Sequence, residues 1–170
     1  ELFNADISNL GNKILEKLLG PDASKTLKEY ENLVKNDKDT DWIQQLYEFF
    51  LSDREEKSQD YTPQSLSKLC AKLVSKNNSK IFDCCAGSGS LTLNYNNEFN
   101  NCEFFLVELD MKVIPFLLFN LSLHNVEGLV VNGDALTNNV FKQYKLSKGK
   151  KFSTVTLDNS FLSYSFDGAI

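Results

Sequence analysis

A short apolar run, Lys80-Ile81-Phe82-Asp83, ends on a carboxylate and passes straight into Cys84-Cys85-Ala86-Gly87-Ser88-Gly89-Ser90-Leu91. No other stretch restricts the fold as much. So short a strand must belong to a larger sheet. The glycines let the backbone turn tightly and pass close to a ligand, and a helix start follows them. Three more β-like runs come later, at Cys102–Glu108, Leu129–Asn132 and Phe152–Asp158. Helix-like stretches at 88–97, 110–124 and 135–146 separate them. Strand–helix alternation at this spacing predicts an α/β fold with a parallel, doubly wound sheet.

Upstream, residues 1–60 read as a helical region and 61–170 as the α/β domain. Leu2, Ile7, Leu10, Ile14, Leu15, Leu18 and Leu19 recur at helical spacing until Gly20-Pro21 stops them. A polar helix is expected over Asp22–Lys35, and a third over Asp41–Leu51 with Trp42, Leu46, Phe49 and Phe50 on its apolar face. Arg54–Asp60 reads as a charged linker. Thr62 and Pro63 are expected as N-cap and first helical residue of a helix whose apolar stripe is Leu66, Leu69, Cys70, Leu73 and Val74.

The glycine turn could serve a dinucleotide, but that fingerprint needs a third glycine or alanine where Thr92 stands. Asp83, just before the glycines, would repel a pyrophosphate and suits the ammonium of a methionine moiety. Glu108 ends the second strand, 19 residues beyond Gly89, where an acid can accept hydrogen bonds from ribose hydroxyls. Asp134, in Asn132-Gly133-Asp134-Ala135-Leu136, ends the third and can accept from an adenine amino group. Any one of these acids would ordinarily be a helix cap or a solvated turn. Three at successive strand ends, one beside a glycine turn, point to a cofactor site.

These segments resemble those of adenine-specific DNA methyltransferases of the gamma order, and above all the modification subunit of type I restriction–modification systems. Gln59-Asp60-Tyr61-Thr62-Pro63-Gln64-Ser65 resembles the F-Y-T-P-x-x-V segment, and Asp83–Leu91 the D-P-A-C-G-S-G-x-L turn. Val107-Glu108-Leu109-Asp110 resembles G-x-E-x-D, Phe119–His124 resembles M-N-L-x-L-H, and Asn132-Gly133-Asp134 resembles N-G-D. Trp42–Leu51 resembles the D-I-Y-E-Y-F-L helix. The resemblance implies a class I, Rossmann-like fold binding S-adenosyl-L-methionine. The expected cofactor set is Tyr61, Thr62, Pro63, Asp83, Ala86, Gly87, Ser88, Gly89, Leu91, Glu108, Leu109, Asp134 and Ala135, with Tyr61–Pro63 closing over the methionine end. His124, the sole histidine, is expected to end a helix near the negative end of its dipole rather than act as a base.

The family's N-P-P-F/Y segment, which holds the amine of a flipped adenine and stacks on its ring, is matched only by Asp158-Asn159-Ser160-Phe161. Asp158 and Phe161 are the expected catalytic pair; without the prolines, a plain polar turn is the competing reading. The resemblance implies methyl transfer to the adenine amino group in DNA. Two alternatives remain open: a catalytically degenerate cofactor-binding or assembly subunit, and a methyltransferase acting on RNA or protein. The sheet is expected to be incomplete, and a chain opening on Glu1 is expected to be processed or shortened.

Charge bears on the DNA reading. The net charge is −5, and Arg54 is the sole arginine. Lys148, Lys150 and Lys151 form the one small basic cluster. So acidic a chain is expected to grip DNA weakly alone and to rely on a specificity or restriction subunit. Cys70, Cys84, Cys85 and Cys102 show no C-x-x-C spacing. They are expected to be reduced, buried thiols of a cytoplasmic protein, with no metal site and no membrane span.

Overall fold

A computed structural model describes residues 2–3, 5–35, 42–50, 62–74, 79–99 and 101–160. Tyr61, Phe161, the 54–60 linker and the side chains of Phe49 and Phe50 lie outside the described residues. The helices are α1 (Leu10–Leu19), α2 (Ala23–Leu33), α3 (Trp42–Phe50), α4 (Gln64–Leu73), α5 (Ser90–Glu98) and α6 (Ile114–Leu123). The strands are β1 (Lys80–Asp83), β2 (Glu103–Glu108), β3 (Gly128–Asp134), β4 (Asn139–Ser147) and β5 (Thr154–Leu157).

The sheet is open, five-stranded and mixed, in the order β1-β2-β3-β4-β5. β1, β2 and β3 are parallel neighbours, as expected, with α5 and α6 as their connections. Right-handed crossovers between successive neighbours put both helices on one face. The expected helix over 135–146 is corrected to strand β4, which pairs antiparallel with β3, and β5 pairs antiparallel with β4. The sheet is therefore not wholly parallel. β5 nevertheless runs in the direction of β1–β3, so four carboxyl ends share one edge.

Helix α6 organises the packing. From Ile114 to Ser122 every residue is buried, and an all-round apolar helix of this kind belongs inside a domain. Phe104 and Leu106 of β2, Val130 of β3 and Tyr144 and Leu146 of β4 share a core with its inner side chains. Ile14 and Leu18 of α1, Leu27 of α2, and Ile43 and Tyr47 of α3 join the same core, and α1 also packs against β5. Tyr47 meets Phe116 at 5.3 Å, and Tyr30 meets Phe119 edge-on at 5.0 Å. The N-terminal helices thus share the sheet's core.

Two helix faces differ from expectation. Among the described side chains of α3, Ile43 and Tyr47 are buried and Leu46 packs partly buried against the core as expected, while Trp42 is exposed. In α4 the stripe Leu66, Leu69, Leu73 and Val74 is exposed, and Ser67 and Ala71 are buried against α5. Small residues allow the two helices to approach closely, and Ser67 Oγ lies 3.2 Å from Ser90 Oγ. Pro63, rather than Thr62, occupies the N-cap of α4.

Phe116→Ala is expected to cost about 3–5 kcal/mol, as large-to-small core changes of this size do. Urea denaturation followed by Trp42 fluorescence and by far-ultraviolet circular dichroism should show one coincident transition. Two separated transitions, or a loss below about 1 kcal/mol, would contradict the shared core.

Candidate cofactor site

The carboxyl ends of β1 and β2 and the turn Cys84–Gly89 build one site. Gly87 and Gly89 have φ of 54° and 96°, in the left-handed region that glycine adopts without strain. A side chain on Gly89 would also meet Leu117 Cδ1 at 3.0 Å. Gly89 is the N-cap of α5, so the helix begins directly beneath the turn. Ala86 N–H donates to the Val107 carbonyl at 3.0 Å and stitches the turn to β2.

The acids are held by backbone donors. Asp83 Oδ1 accepts from Cys85 N–H at 3.1 Å. Glu108 Oε2 accepts from Gly87 N–H at 2.9 Å, and its Oε1 from Asp110 N–H at 2.8 Å. Burial pushes the Asp83 carboxyl above its ordinary range, against the Cys85 N–H. Burial also raises Glu108, against Asp110 and Gly87 N–H and with help from the charges of Asp110 and Asp83. Two partly desolvated carboxylates side by side favour a cationic ligand. Each carboxylate oxygen keeps a second lone pair for a hydroxyl or ammonium donor.

Asp134 stands at the same edge, at the end of β3, but caps its own turn. Its oxygens accept from Leu136 N–H at 2.9 Å and Thr137 Oγ1 at 2.8 Å, and these bonds hold its pKa below the ordinary range. Leu91 and Ala135 are half-buried, Ala86 and Ser88 are buried, and Leu109 is exposed. Thr62 and Pro63 precede α4, whose face packs on α5.

Asp158 is not brought to the other acids. It follows β5, four strand steps from β1, about 19 Å at ordinary strand spacing. Its carboxylate accepts from Ser160 N–H at 2.9 Å, from Ser160 Oγ, and from Gln143 Nε2 at 2.8 Å. The Ser160 hydroxyl chiefly, with Ser160 N–H and Gln143, lowers its pKa. The Ser160 bonds close a polar turn, and the Gln143 bond ties that turn to the buried face of β4. His124 is the C-cap of α6, its Nδ1 2.9 Å from the Asn120 carbonyl.

Cys84 and Cys85 are exposed on the turn, which corrects the expectation of four buried thiols; Cys102 is buried and Cys70 half-buried. Burial chiefly, and then the neighbouring Cys84, Asp83 and Glu108, push the Cys85 thiol up. Among the described residues no group of three or more His, Cys, Asp or Glu could hold a metal, and no helix is long and apolar enough to cross a membrane.

Two asparagines escaped the sequence reading as site residues. Asn120 Nδ2 donates to the Ser88 carbonyl at 3.0 Å. Asn132 Nδ2 donates to the carbonyls of Glu108 and Leu109, both at 3.0 Å. The available signal was a carboxamide inside the otherwise apolar run Ile114–Leu121.

Fold and site together define an α/β domain with paired carboxylates and a glycine turn at the carboxyl ends of its strands. The N-6 DNA methylase family matches residues 38–166, most of the chain, and the chain belongs to that family. No curated protein and no solved structure matches the chain.

The raised carboxyls fix a sign for stability. A group whose pKa is raised by folding favours the fold while protonated, below its ordinary pKa, and withdraws that stability as pH rises through the raised value. Asp83→Asn keeps an acceptor for Cys85 N–H but carries no charge. It is expected to raise the melting temperature of the ligand-free protein at pH 7 and to change little at about pH 3, below the ordinary carboxyl range. A lower melting temperature at pH 7 would refute the desolvated-carboxylate reading.

Proposed function

We propose that this chain is an S-adenosyl-L-methionine-dependent DNA methyltransferase that modifies the exocyclic amino group of adenine, within a restriction–modification system. The observation that carries the reading is the pair Asp83 and Glu108 on either side of a left-handed glycine turn, in a member of the N-6 DNA methylase family. Family members generally use S-adenosylmethionine, which supplies an electrophilic methyl group on a sulfonium centre.

The residues present fit that cofactor. Asp83 carries the charge needed to bind an ammonium, and desolvation strengthens the pairing. Glu108 retains acceptor capacity for the ribose hydroxyls, and Asp134 has lone pairs for an adenine amino group. The backbone at Ala86, Gly87, Ser88 and Gly89 forms the floor, with Leu91, Leu109 and Ala135 around it. Tyr61, Thr62 and Pro63 would close over the methionine end.

Substrate would enter as a flipped adenine, because its amine cannot reach the cofactor from within a duplex. Direct in-line attack by that nitrogen needs no covalent protein intermediate. Asp158 and Phe161 serve as amine acceptor and stacking ring only if the end of β5 approaches the glycine turn. The Ser160 bond that closes the Asp158 turn, and the Gln143 bond that ties it to β4, favour a structural role instead. With a net charge of −5, the chain would leave most phosphate contacts to specificity or restriction subunits.

Calorimetry with S-adenosylmethionine tests the site. Asp83→Ala should weaken binding by about 10- to 100-fold, the loss expected for one charge-assisted hydrogen bond in a desolvated site. Undiminished affinity in that variant would refute the placement. Methyl transfer to adenine in unmethylated DNA, with partner subunits supplied, tests the reaction; cofactor binding without transfer would leave a binding module and sink the enzyme. Alone, the chain is expected to shift duplex DNA weakly and without sequence preference at physiological salt.

A further inference from the structure

We propose that Asn120 and Asn132 are positioning residues of the cofactor site: buried carboxamides that hold the glycine turn and the end of β2 in the register at which Glu108 meets Gly87. The inference rests on the cofactor reading above and deepens it.

Both asparagines are 2% exposed. Burying a carboxamide is unfavourable unless its polar atoms are bonded, so each must be matched by specific partners. Asn120 lies in α6 among Phe119, Leu121 and Leu118, all fully buried. An apolar residue there would satisfy the packing of that helix. The asparagine instead reaches the carbonyl of Ser88, the residue between the two left-handed glycines. A carbonyl at that place has no strand ladder or helix to receive it, and the carboxamide supplies the donor. The same helix sets Leu117 and Leu121 beneath Gly89. α6 thus fixes the turn by apolar contact and by one aimed hydrogen bond.

Asn132 does the equivalent for β2. It pairs with Glu108 across the parallel ladder, and its Nδ2 spans the carbonyls of Glu108 and Leu109 at the strand's end. Glu108 then returns its carboxylate to Gly87 N–H and Asp110 N–H. Four segments are therefore joined in sequence: β3 to β2 through Asn132, β2 to the turn through Glu108, and the turn to α6 through Asn120. Neither asparagine need touch the ligand. Each determines where a group that does touch it will stand.

A positioning role predicts coupling. Measured by calorimetry with S-adenosylmethionine on the full chain, Asn132→Ala should lose about tenfold in affinity, as its two hydrogen bonds to the end of β2 are removed. In a Glu108→Gln background the same change should cost less than about twofold, because contacting groups in one network are not additive. Asn120→Asp, which points an oxygen at the Ser88 carbonyl, should lose more than Asn120→Ser, which keeps a short donor. Asn132→Ser serves if Asn132→Ala does not fold. Wild-type affinity in Asn120→Asp and Asn132→Ala, or full additivity of Asn132→Ala with Glu108→Gln, overturns the proposal while leaving the cofactor site intact. Failure of the wild-type chain to bind S-adenosylmethionine removes the site reading and this inference together.

Discussion

Burial of α6 between the sheet and the N-terminal helices is the interaction on which the rest of this molecule depends. Its side chains share one core with β2, β3, β4 and β5 and with α1, α2 and α3. A helix without a polar face has no stable place at a surface, so both layers must be present for it to fold as it does. The site inherits that rigidity. Leu117 and Leu121 stand within contact distance of where a side chain on Gly89 would lie, so the turn cannot relax without disturbing the core.

The electrostatics run the other way. Asp83 and Glu108 are held in a partly desolvated place where ionisation is disfavoured, and backbone N–H groups only partly offset that. A core would not place two carboxylates like this for its own stability. A cationic ligand would compensate both at once, which is why perturbed acids at a strand edge read as function. Asp134 and Asp158 lie at the same edge but are satisfied by hydrogen-bond donors, Asp134 within its own turn and Asp158 from Ser160 and Gln143, and their pKa values fall instead. Four acids at one edge therefore separate into two kinds by environment alone.

That separation was not legible in the sequence, whereas the strands β1 to β3 and the glycine turn were. Their apolar runs, helix spacing and turn residues are local signals, and local signals survive without an alignment. β4 was misread because Leu136, Val140, Phe141 and Tyr144 also fit helical spacing. The decisive cue was the turn at Thr137-Asn138-Asn139, where Asn138 takes φ of 59° and folds the chain back on β3. The α4 stripe was misread for the converse reason: helical periodicity identifies a face but not its partner, and here the small residues Ser67 and Ala71 met α5. Asp158 illustrates the remaining limit. Its position depends on which strand β5 pairs with, a long-range choice that no spacing encodes.

The mixed sheet also orders its own assembly. β3, β4 and β5 follow one another through short connections, so pairing them closes small loops and demands little chain entropy. β1, β2 and β3 are parallel, and each pairing must wait for an intervening helix to be laid across the sheet. On entropic grounds the meander is placed to form early, and the β1 side late. The glycine turn lies on that late side, held in place only when α6 docks. Its competence thus reports completion of folding.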